Sequence, residues 1–354
     1  MSVKQFPCKS CGAAFEYTPG TTHLTCPYCG SENAIPQSEQ EIAEQDFHAT
    51  LAQLASTHTV ERSATVTCQS CDAEFTLAPN TRADECPFCG SAVISEPGEH
   101  EQLPPVALLP FKLNARDARK QFANWLQKLW FAPNKVKQYA RADDGFSGIY
   151  LPYWTFDSRT VSVYRGQRGD DYYVQTRGPD GKTRREKRTR WHTVSGTVGR
   201  VFDDVLVVAS ESLPKTYVER LEPWDLGELT PYSQEYLSGF RAETYQIGLE
   251  QGYQHARSQM EALIRQDVKR DIGGDKQRIQ NISTQYDNIT FKHILLPVYM
   301  AAYRYRDKIY RFVINGRTGE VQGERPYSWV KIGLAALFAA ALIGGLVYIL
   351  NQSQ

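Results

Sequence analysis

The apolar and polar positions divide this chain into a cysteine-rich start, a mixed middle and an apolar tail. Residues 332–350 (IGLAALFAAALIGGLVYIL) contain no charged side chain. As a helix with ~1.5 Å rise per residue they would span roughly 28 Å, close to the hydrocarbon thickness of a bilayer. Arg325 and Lys331 precede this segment and no basic residue follows it, so the positive-inside rule leaves the bulk of the chain in the cytoplasm. The pattern predicts a single-pass C-terminal transmembrane anchor over residues 327–354; an apolar helix buried in a soluble core is the alternative.

Two helical patterns lie in the middle of the chain, where residues 106–326 form the predicted main domain. Asn114 is suited to cap a helix that continues to about Phe131. A second helix is predicted from about Ser233 to Ile272. Its apolar stripe recurs at spacings of three and four residues, at Tyr245, Leu249, Tyr253, Ala256, Met260 and Leu263. We favour packing of this stripe on the rest of the chain over pairing with a second subunit, because a free coiled-coil arm usually shows a cleaner heptad.

Before and after the second helix, the pattern changes to that of strands. Residues 148–210 contain five short runs rich in Val, Tyr, Trp and Thr (YLPYWTF, TVSVYRG, DYYVQTR, WHTVSGTV and DVLVVAS). Further strands are predicted at 294–305, 308–315 and 319–322. The motif at 295–299 (LLPVY) echoes the motif at 150–154 (YLPYW), which indicates a sheet built from two related halves.

All eight cysteines fall in four C-x-x-C pairs, arranged as a tandem repeat. From Cys8 to Ser31, twelve of twenty-four positions match their counterparts sixty residues later. Two C-x-x-C turns together supply four thiolates, the ligand set of a tetrahedral structural zinc site, and this closed shell leaves no position for a substrate. A thioredoxin-like redox pair is the alternative, but it needs a single such motif on a βαβ framework. The sequence predicts two structural zinc ions bound by Cys8, Cys11, Cys26, Cys29, Cys68, Cys71, Cys86 and Cys89.

Together these patterns predict an α+β fold: two small tandem zinc ribbons, a mixed β-sheet domain with inserted helices, and one C-terminal transmembrane helix. The stretch before residue 106 contains Pro and Gly and indicates a linker. The segment between the ribbons has loosely helical apolar spacing. The predicted boundaries are zinc ribbon 1 at 1–36, a helical spacer at 37–62, zinc ribbon 2 at 63–96, the linker at 97–105, the β-rich domain at 106–326 and the anchor at 327–354.

The formal net charge is zero, but charge is unevenly distributed along the chain. Residues 1–100 carry four basic residues against thirteen acidic ones, a balance of −9. Zinc ions with four thiolates each would add negative charge. Nucleic-acid affinity rests on Lys and Arg side chains that neutralise phosphates, so the ribbons are expected to repel nucleic acid. Protein partners are therefore favoured.

A basic run in the strand region is the second candidate interaction site. Residues 178–183 (GPDGKT) lack the first glycine of a phosphate-binding loop and are predicted to form a hairpin turn. A solvated strand edge is the favoured interpretation of the run that follows, and contact with anionic lipid or with nucleic acid stays open. The basic residues of the run, which we name as candidate lipid-surface contacts, are Lys182, Arg184, Arg185, Lys187, Arg188 and Arg190.

No constellation of catalytic residues rises above chance. The seven histidines are scattered, and no nucleophile elbow, dinucleotide fingerprint or complete phosphate-binding loop is present. His192 and His293 are expected to be edge or core residues. Paired carboxylates, expected in solvated turns, occur at Asp143–Asp144, Asp170–Asp171 and Asp203–Asp204. The chain is predicted not to be an enzyme.

The chain resembles a family of bacterial zinc-ribbon membrane proteins. The features that carry the resemblance are the twin ribbons, the strand at 150–154, the helix start at 238–243 (SGFRAE), the hairpin at 315–321 (NGRTGEV) and the apolar tail. Members of this family are often described as containing a TFIIB-type zinc finger, and sometimes as primosomal-helicase-like. The helicase description finds no support, because the sequence lacks the phosphate-binding loop of a motor.

This resemblance implies a membrane-associated adaptor that recruits phage-shock-protein-A-like or flotillin-like (SPFH) proteins during envelope stress. We therefore expect a membrane-tethered cytoplasmic adaptor whose zinc ribbons recruit or organise protein partners at the inner membrane. Membrane lipid is a second expected partner, and homo-oligomerisation stays open. The alternative function is a nucleic-acid-binding protein, associated with transcription or replication, that uses the ribbons or the basic run.

Overall fold

The computed structural model of the chain describes most of the residues beyond position 102 and parts of the cysteine-rich start. The described residues are 8, 10–11, 16–26, 28–36, 41–56, 65–67, 73–76, 84–85, 92–93, 103–133, 146–177, 183–305, 308–324 and 327–352.

Short strands characterise the cysteine-rich start, and long strands the main domain. The N-terminal strands are β1 (Glu16–Tyr17), β2 (His23–Thr25), β3 (Glu32–Ala34), β4 (Gln45–Asp46), β5 (Thr65–Thr67), β6 (Glu74–Thr76), β7 (Asp84–Glu85) and β8 (Ala92–Val93). The strands of the main domain are β9 (Ala107–Leu108), β10 (Ser147–Arg177), β11 (Thr183–Val208), β12 (Thr230–Pro231), β13 (Arg241–Ala242), β14 (Lys276–Tyr305), β15 (Lys308–Asn315) and β16 (Val321–Gly323).

Helices are distributed along the whole chain. The α-helices are α1 (Phe47–Ser56), α2 (Ala115–Lys128), α3 (Lys215–Val218), α4 (Leu249–Ile272) and α5 (Trp329–Gln352). Short 3-10 turns lie at Glu219–Leu221, Leu226–Glu228 and Gln234–Leu237.

The main sheet is built around the antiparallel pair β10 and β14, and its strand order is β11–β10–β14–β15–β16. Leu151 pairs directly with Leu296, so the two Leu-Pro motifs that the sequence relates lie side by side. At the start of each motif a short parallel strand pairs with the long strand, β13 with β10 and β9 with β14. The sheet therefore has an approximate two-fold relation about this central pair.

The long strands extend further than the sequence predicts. β10 runs through three of the predicted short runs, and β11 runs through two. Gly166 lies inside β10, where a Cβ would stand 2.6 Å from the Arg278 carbonyl oxygen of β14. The register of the β10–β14 pair shifts at this point. This glycine marks a bulge within a strand, and not a turn between strands.

Helix α4 covers one face of the long part of the sheet, which we call the arm (158–177, 183–202 and 276–288). The buried residues of α4 are Leu249, Gly252, Tyr253, Ala256, Met260, Ile264, Val268 and Ile272. The predicted stripe is confirmed from Leu249 to Met260, although its next buried member is Ile264 and Leu263 is 38 % exposed. The helix begins at Leu249 and not near Ser233, because the intervening chain forms the 3-10 turn Gln234–Leu237 and supplies β13 to the sheet.

Helix α2 confirms its predicted cap. The Asn114 side chain accepts a hydrogen bond of 2.9 Å from the backbone N–H of Asp117, which satisfies one of the free donors at the helix start. The buried face carries Phe122, whose ring stacks on Phe312 of β15 at 3.7 Å between centroids. The helix ends at Lys128, three residues before the predicted end.

The helix between the predicted ribbons packs on the main domain. Asp46 caps α1 by accepting a 2.7 Å hydrogen bond from the N–H of Ala49. Phe47 is buried, with its ring 4.5 Å from that of Tyr253 in α4. Strand β4, just before α1, pairs with β14 at Phe291. Residues 41–56 of the predicted spacer are therefore part of the folded body.

The C-terminal segment 327–354 requires a correction. Helix α5 is held at its base by hydrogen bonds of 2.7 Å from the Ser328 N–H to the Phe131 carbonyl and from Lys331 Nζ to the Ala132 carbonyl. The large exposed apolar side chains among its described residues are Trp329, Val330, Leu334, Leu337, Phe338, Leu342, Ile343 and Leu350. Yet nowhere in the described part of the chain does a helix reach the length and apolarity that crossing a membrane requires.

This finding overturns the predicted transmembrane helix, the single-pass membrane localisation and the membrane part of the fold class. The architecture that stands is a mixed α/β protein with a large antiparallel sheet.

Candidate metal centre and interaction surfaces

Four cysteines come together around β1 to β3, the three-stranded sheet of ribbon 1. Cys8 and Cys11 precede β1, while Cys26 and Cys29 lie in the turn between β2 and β3. Their Sγ atoms all lie within 4.8 Å of one another. Cys8 and Cys29 are 3.5 Å apart, as are Cys11 and Cys26. The structure thus gathers the first predicted ligand set.

The cluster has the dimensions of a four-thiolate metal site. A tetrahedron with Zn–S bonds of about 2.3 Å has S–S edges of about 3.8 Å, close to the observed separations. A disulfide would need an S–S distance of about 2 Å, and all four thiols are free. These residues could bind one metal ion, and four soft thiolates suit zinc or iron. With four protein ligands, such an ion would stabilise the ribbon and leave no open position for a substrate.

Ser31 and the backbone support the cluster from β3. The Ser31 hydroxyl lies 2.9 Å from Cys8 Sγ and 3.2 Å from Cys29 Sγ. This contact is the main reason why the pKa of Cys8 is lowered to about 6, and it also lowers the pKa of Cys29. Gly30, with φ of +72°, lets the chain turn so that its N–H donates to the Cys26 carbonyl at 2.9 Å. Thiolates are the form that binds a metal ion.

The second predicted ligand set lies outside the described residues. Cys68, Cys71, Cys86 and Cys89 therefore stay predictions. The described pieces of ribbon 2 include the antiparallel strand pairs β5–β6 (residues 65–67 and 74–76) and β7–β8 (residues 84–85 and 92–93).

Ribbon 1 packs into the core of the main domain through Tyr17. The Tyr17 side chain is buried, and its hydroxyl donates to the carbonyls of Thr21 and Phe111 at 3.1 and 3.2 Å. Its backbone N–H donates to Ser238 at 3.0 Å, and its ring lies 5.1 Å from that of Tyr236. The ribbon therefore has a fixed orientation relative to the sheet.

The outer side of the same ribbon presents an aromatic side chain beside the metal centre. Tyr28, in the turn between Cys26 and Cys29, is 83 % exposed. Cys11 and Cys29 are exposed next to it, whereas Cys8 and Cys26 face the body. This exposed aromatic ring lies on a turn between two of the clustered cysteines, and nothing in the residue pattern had singled it out.

The basic run lies mainly on β11, at the edge of the main sheet, and its first residue, Lys182, lies outside the described residues. Paired residues of β10 and β11 share a face, and faces alternate along a strand. Arg184, Arg188 and Arg190 therefore lie on one face, and Arg185 and Lys187 on the other. The structure places these residues on a strand edge, as predicted, but it does not form them into one patch. Contact with lipid stays a prediction.

Buried charges missed by the sequence analysis meet at Lys292 of β14. The Lys292 ammonium lies 2.8 Å from Asp204, 3.3 Å from Glu44 and 3.9 Å from Asp157. Its side chain is only 8 % exposed. Burial is the main cause that raises the pKa of Asp157 to about 6. The cluster joins the segment before α1 to the sheet.

Two pairs of carboxylates depart from the expected solvated turns. Asp204 belongs to the Lys292 cluster, and Asp171 lies inside β10, where it forms ion pairs with Lys187 at 2.7 Å and Lys276 at 3.1 Å. The pair at Asp143–Asp144 lies outside the described residues.

The two histidines singled out in the sequence lie in different environments. His293 is buried as expected; its Nδ1 lies 2.7 Å from the Leu103 carbonyl, and burial lowers its pKa to about 4. His192 lies on β11 with its side chain half exposed.

A buried polar cluster at the end of β11 combines serine hydroxyls with a carboxylate, groups that also occur in the active sites of hydrolases. Ser210 and Ser212 both donate to the carboxylate of Glu243, and all three residues are at most 5 % exposed. Because the cluster is buried, these hydrogen bonds are expected to have a structural role. They connect the segment after β11 to the residue after β13.

Comparison with known proteins adds one distant relative. The chain is 25 % identical over 354 residues to YdjG of Bacillus subtilis (strain 168), described as an uncharacterized protein, and the alignment covers 97 % of this chain and 95 % of that protein. No protein-family model matches the chain. No solved structure matches it either. The resemblance to a zinc-ribbon family accordingly stays an interpretation of the sequence.

Proposed function

We propose that this protein is a non-catalytic zinc-ribbon adaptor that binds protein partners through the outer side of its ribbons. The observation that carries the proposal is Tyr28, which is 83 % exposed on a turn between two metal ligands. Exposed aromatic side chains on rigid supports are typical anchors of protein interfaces, because they bury a large area at low cost in entropy. The ribbon is fixed to the sheet through Tyr17, so the anchor is held in one orientation.

A second zinc ion belongs to the proposal. Cys68, Cys71, Cys86 and Cys89 repeat the spacing of the first set, and Phe88 occupies the position that corresponds to Tyr28. Two equivalent ribbons would give the adaptor two aromatic contact points. The charge balance of −9 over residues 1–100 favours a partner with a basic binding surface over nucleic acid at these ribbons.

The family resemblance supplies candidate partners, namely phage-shock-protein-A-like and flotillin-like (SPFH) proteins. Binding of these purified proteins to the immobilised full-length chain can be compared with binding to the Tyr28→Ala variant. Tyr327→Ala is a matched control, since Tyr327 is also an exposed tyrosine, at 61 %, and lies far along the chain from the ribbons. Zinc content, measured on all three proteins, must be equal for the comparison to be valid.

The proposal expects Tyr28→Ala to weaken binding at least tenfold, because an interface anchor contributes about 2 kcal/mol or more, while Tyr327→Ala binds as the parent does. Equal binding by all three proteins would show that the ribbon turn is not the contact. Failure of both candidate classes to bind the parent protein would reject the partners named here.

A further inference from the structure

The end of the arm is a two-stranded ribbon that no other described element covers. β14 pairs with β10 only as far as Gly169, opposite Lys276. Beyond that point residues 170–177 of β10 pair with 183–190 of β11 alone. At about 3.4 Å per residue this ribbon is roughly 27 Å long. We call it the arm tip.

Basic side chains occupy both faces of the arm tip. On the face that continues the α4 side lie Arg184, Arg188 and Arg190, and Arg190 stacks over Tyr172 at 5.1 Å. On the opposite face lie Arg185 and Lys187, and Arg185 stacks over Tyr173 at 4.9 Å. All five basic residues are exposed.

The opposite face continues into a wider basic surface on all three strands of the arm. Arg278 of β14 stacks over Trp191 at 4.0 Å, and Arg165 lies further along the same face. The acidic Asp171 on this face already has two partners, Lys187 and Lys276. Over the whole arm, twelve basic residues stand against four acidic ones, a balance of +8.

The negative charge of ribbon 1 does not neutralise the positive charge of the arm tip, because the two are far apart. α4 extends along the arm from Trp154, which meets Gly252, to Arg168, which lies beside Gly273. A helix of 24 residues is about 36 Å long, and the arm tip lies beyond its end. At physiological ionic strength charges are screened over about 8 Å. The objection that the sequence raised against nucleic acid thus concerns the ribbons and not the arm tip.

We propose that the arm tip binds double-stranded nucleic acid, with its two-stranded ribbon in a groove and its basic faces toward the phosphates of both walls. The distribution of charge carries this inference. A planar lipid surface meets one face of a ribbon, whereas a groove surrounds it. The major groove of DNA, about 12 Å wide, admits a two-stranded β-ribbon. Arginines held over tyrosine rings are pre-positioned for phosphate, and none of these contacts requires a particular base.

The test measures binding of the full-length protein to a fluorescein-labelled 30-base-pair duplex by anisotropy over a salt series. Three variants are compared with the parent: Arg184→Gln/Arg188→Gln/Arg190→Gln for one face, Arg185→Gln/Lys187→Gln for the other, and Arg116→Gln/Lys128→Gln as a control on exposed positions of α2. Circular dichroism melting checks that each variant folds. Vesicles with anionic lipid, in a sedimentation assay, provide the competing surface.

The proposal expects the logarithm of the affinity to fall with the logarithm of salt, with a slope that changes by about 0.9 for each phosphate that the protein no longer neutralises. The first variant should lower that slope by at most about 2.7 and the second by at most about 1.8, because Arg188 and Lys187 already form ion pairs with Glu186 and Asp171. The control should leave the slope unchanged. Absence of duplex binding at 50 mM salt would overturn the proposal. The surface would be assigned to lipid if only one of the two face variants weakened duplex binding and that same variant abolished binding to the vesicles.

Discussion

The charge cluster at Lys292 makes the strongest stability prediction. Lys292→Met keeps an unbranched side chain of similar size but removes the ammonium group that Glu44, Asp157 and Asp204 share. Removing one partner of a buried ion pair costs about 3–5 kcal/mol. Asp204 and Glu44 are 25 % and 42 % exposed, so water offsets part of this cost. We therefore expect Lys292→Met to lower the free energy of unfolding by about 2–3 kcal/mol.

The pH dependence follows from Asp157. Its pKa in the folded protein, about 6, lies above its ordinary value mainly because the carboxyl group is buried. Its favourable contribution to stability is therefore complete at pH below its ordinary pKa and is lost as the pH rises through about 6. Without Lys292 the ionised Asp157 is still less favourable. The destabilisation by Lys292→Met should be larger at pH 8 than at pH 5, where Asp157 can accept a proton.

Chemical denaturation at pH 5 and pH 8 measures this difference. Asp157→Asn in the Lys292→Met background should recover at least 1 kcal/mol at pH 8, because the amide oxygen still accepts from the Asp204 N–H. Lys276→Met is the matched control: Lys276 also pairs with an aspartate but is half exposed, so its removal should cost less than about 1 kcal/mol. An equal destabilisation at both pH values, without rescue by Asp157→Asn, would refute the reasoning.

Three further substitutions test the packing of the ribbon and the helices, all by denaturant unfolding. Tyr17→Phe removes the hydroxyl that donates to the Phe111 carbonyl and should cost about 1 kcal/mol, with faster release of zinc to a chelator. Gly252→Ala places a Cβ 2.7 Å from Trp154 Cδ1 and should cost about 1–3 kcal/mol by overpacking. Asn114→Ala removes the cap of α2 and should cost about 1 kcal/mol.

Each of these substitutions has a control elsewhere in the chain. Tyr173→Phe changes an exposed hydroxyl on the arm tip and should be neutral. Gly199→Ala adds a methyl group whose closest neighbour is 3.6 Å away, an ordinary contact. Asn124→Ala lies on the exposed side of α2. If a control variant loses as much stability as the test substitution it is matched with, the contact assigned to that test substitution does not cause the loss.

Features set by neighbouring residues could be predicted from the sequence. Asn114 caps α2, Gly273 ends α4 at the predicted place with φ of +65°, and Arg177 pairs with Thr183 across the predicted hairpin. Each depends on the conformation or hydrogen bonding of a few adjacent residues. The first set of four cysteines belongs to the same group, because two C-x-x-C turns and a short connection are enough to bring the thiolates together.

Features set by distant pairing could not be predicted in this way. Glu44 and Lys292 are 248 positions apart, and only the pairing of β4 with β14 brings them together. The two faces of the basic run depend on the register of β10 with β11. Predicted breaks inside the long strands proved wrong, since the glycine and charged residues there lie in bulges and ion pairs. The transmembrane prediction rested on hydropathy of the tail, and the structure did not support it.

Zinc content per chain bears most directly on the proposed twin ribbons. Elemental analysis of the purified parent protein should find two equivalents of zinc, and the variants Cys26→Ser and Cys86→Ser should each retain one. If Cys26→Ser lost all its zinc while Cys86→Ser bound as much zinc as the parent protein, the chain would have a single metal site and the second ribbon would be rejected. Less than one equivalent in the parent protein with its thiols intact would contradict the zinc-ribbon assignment altogether.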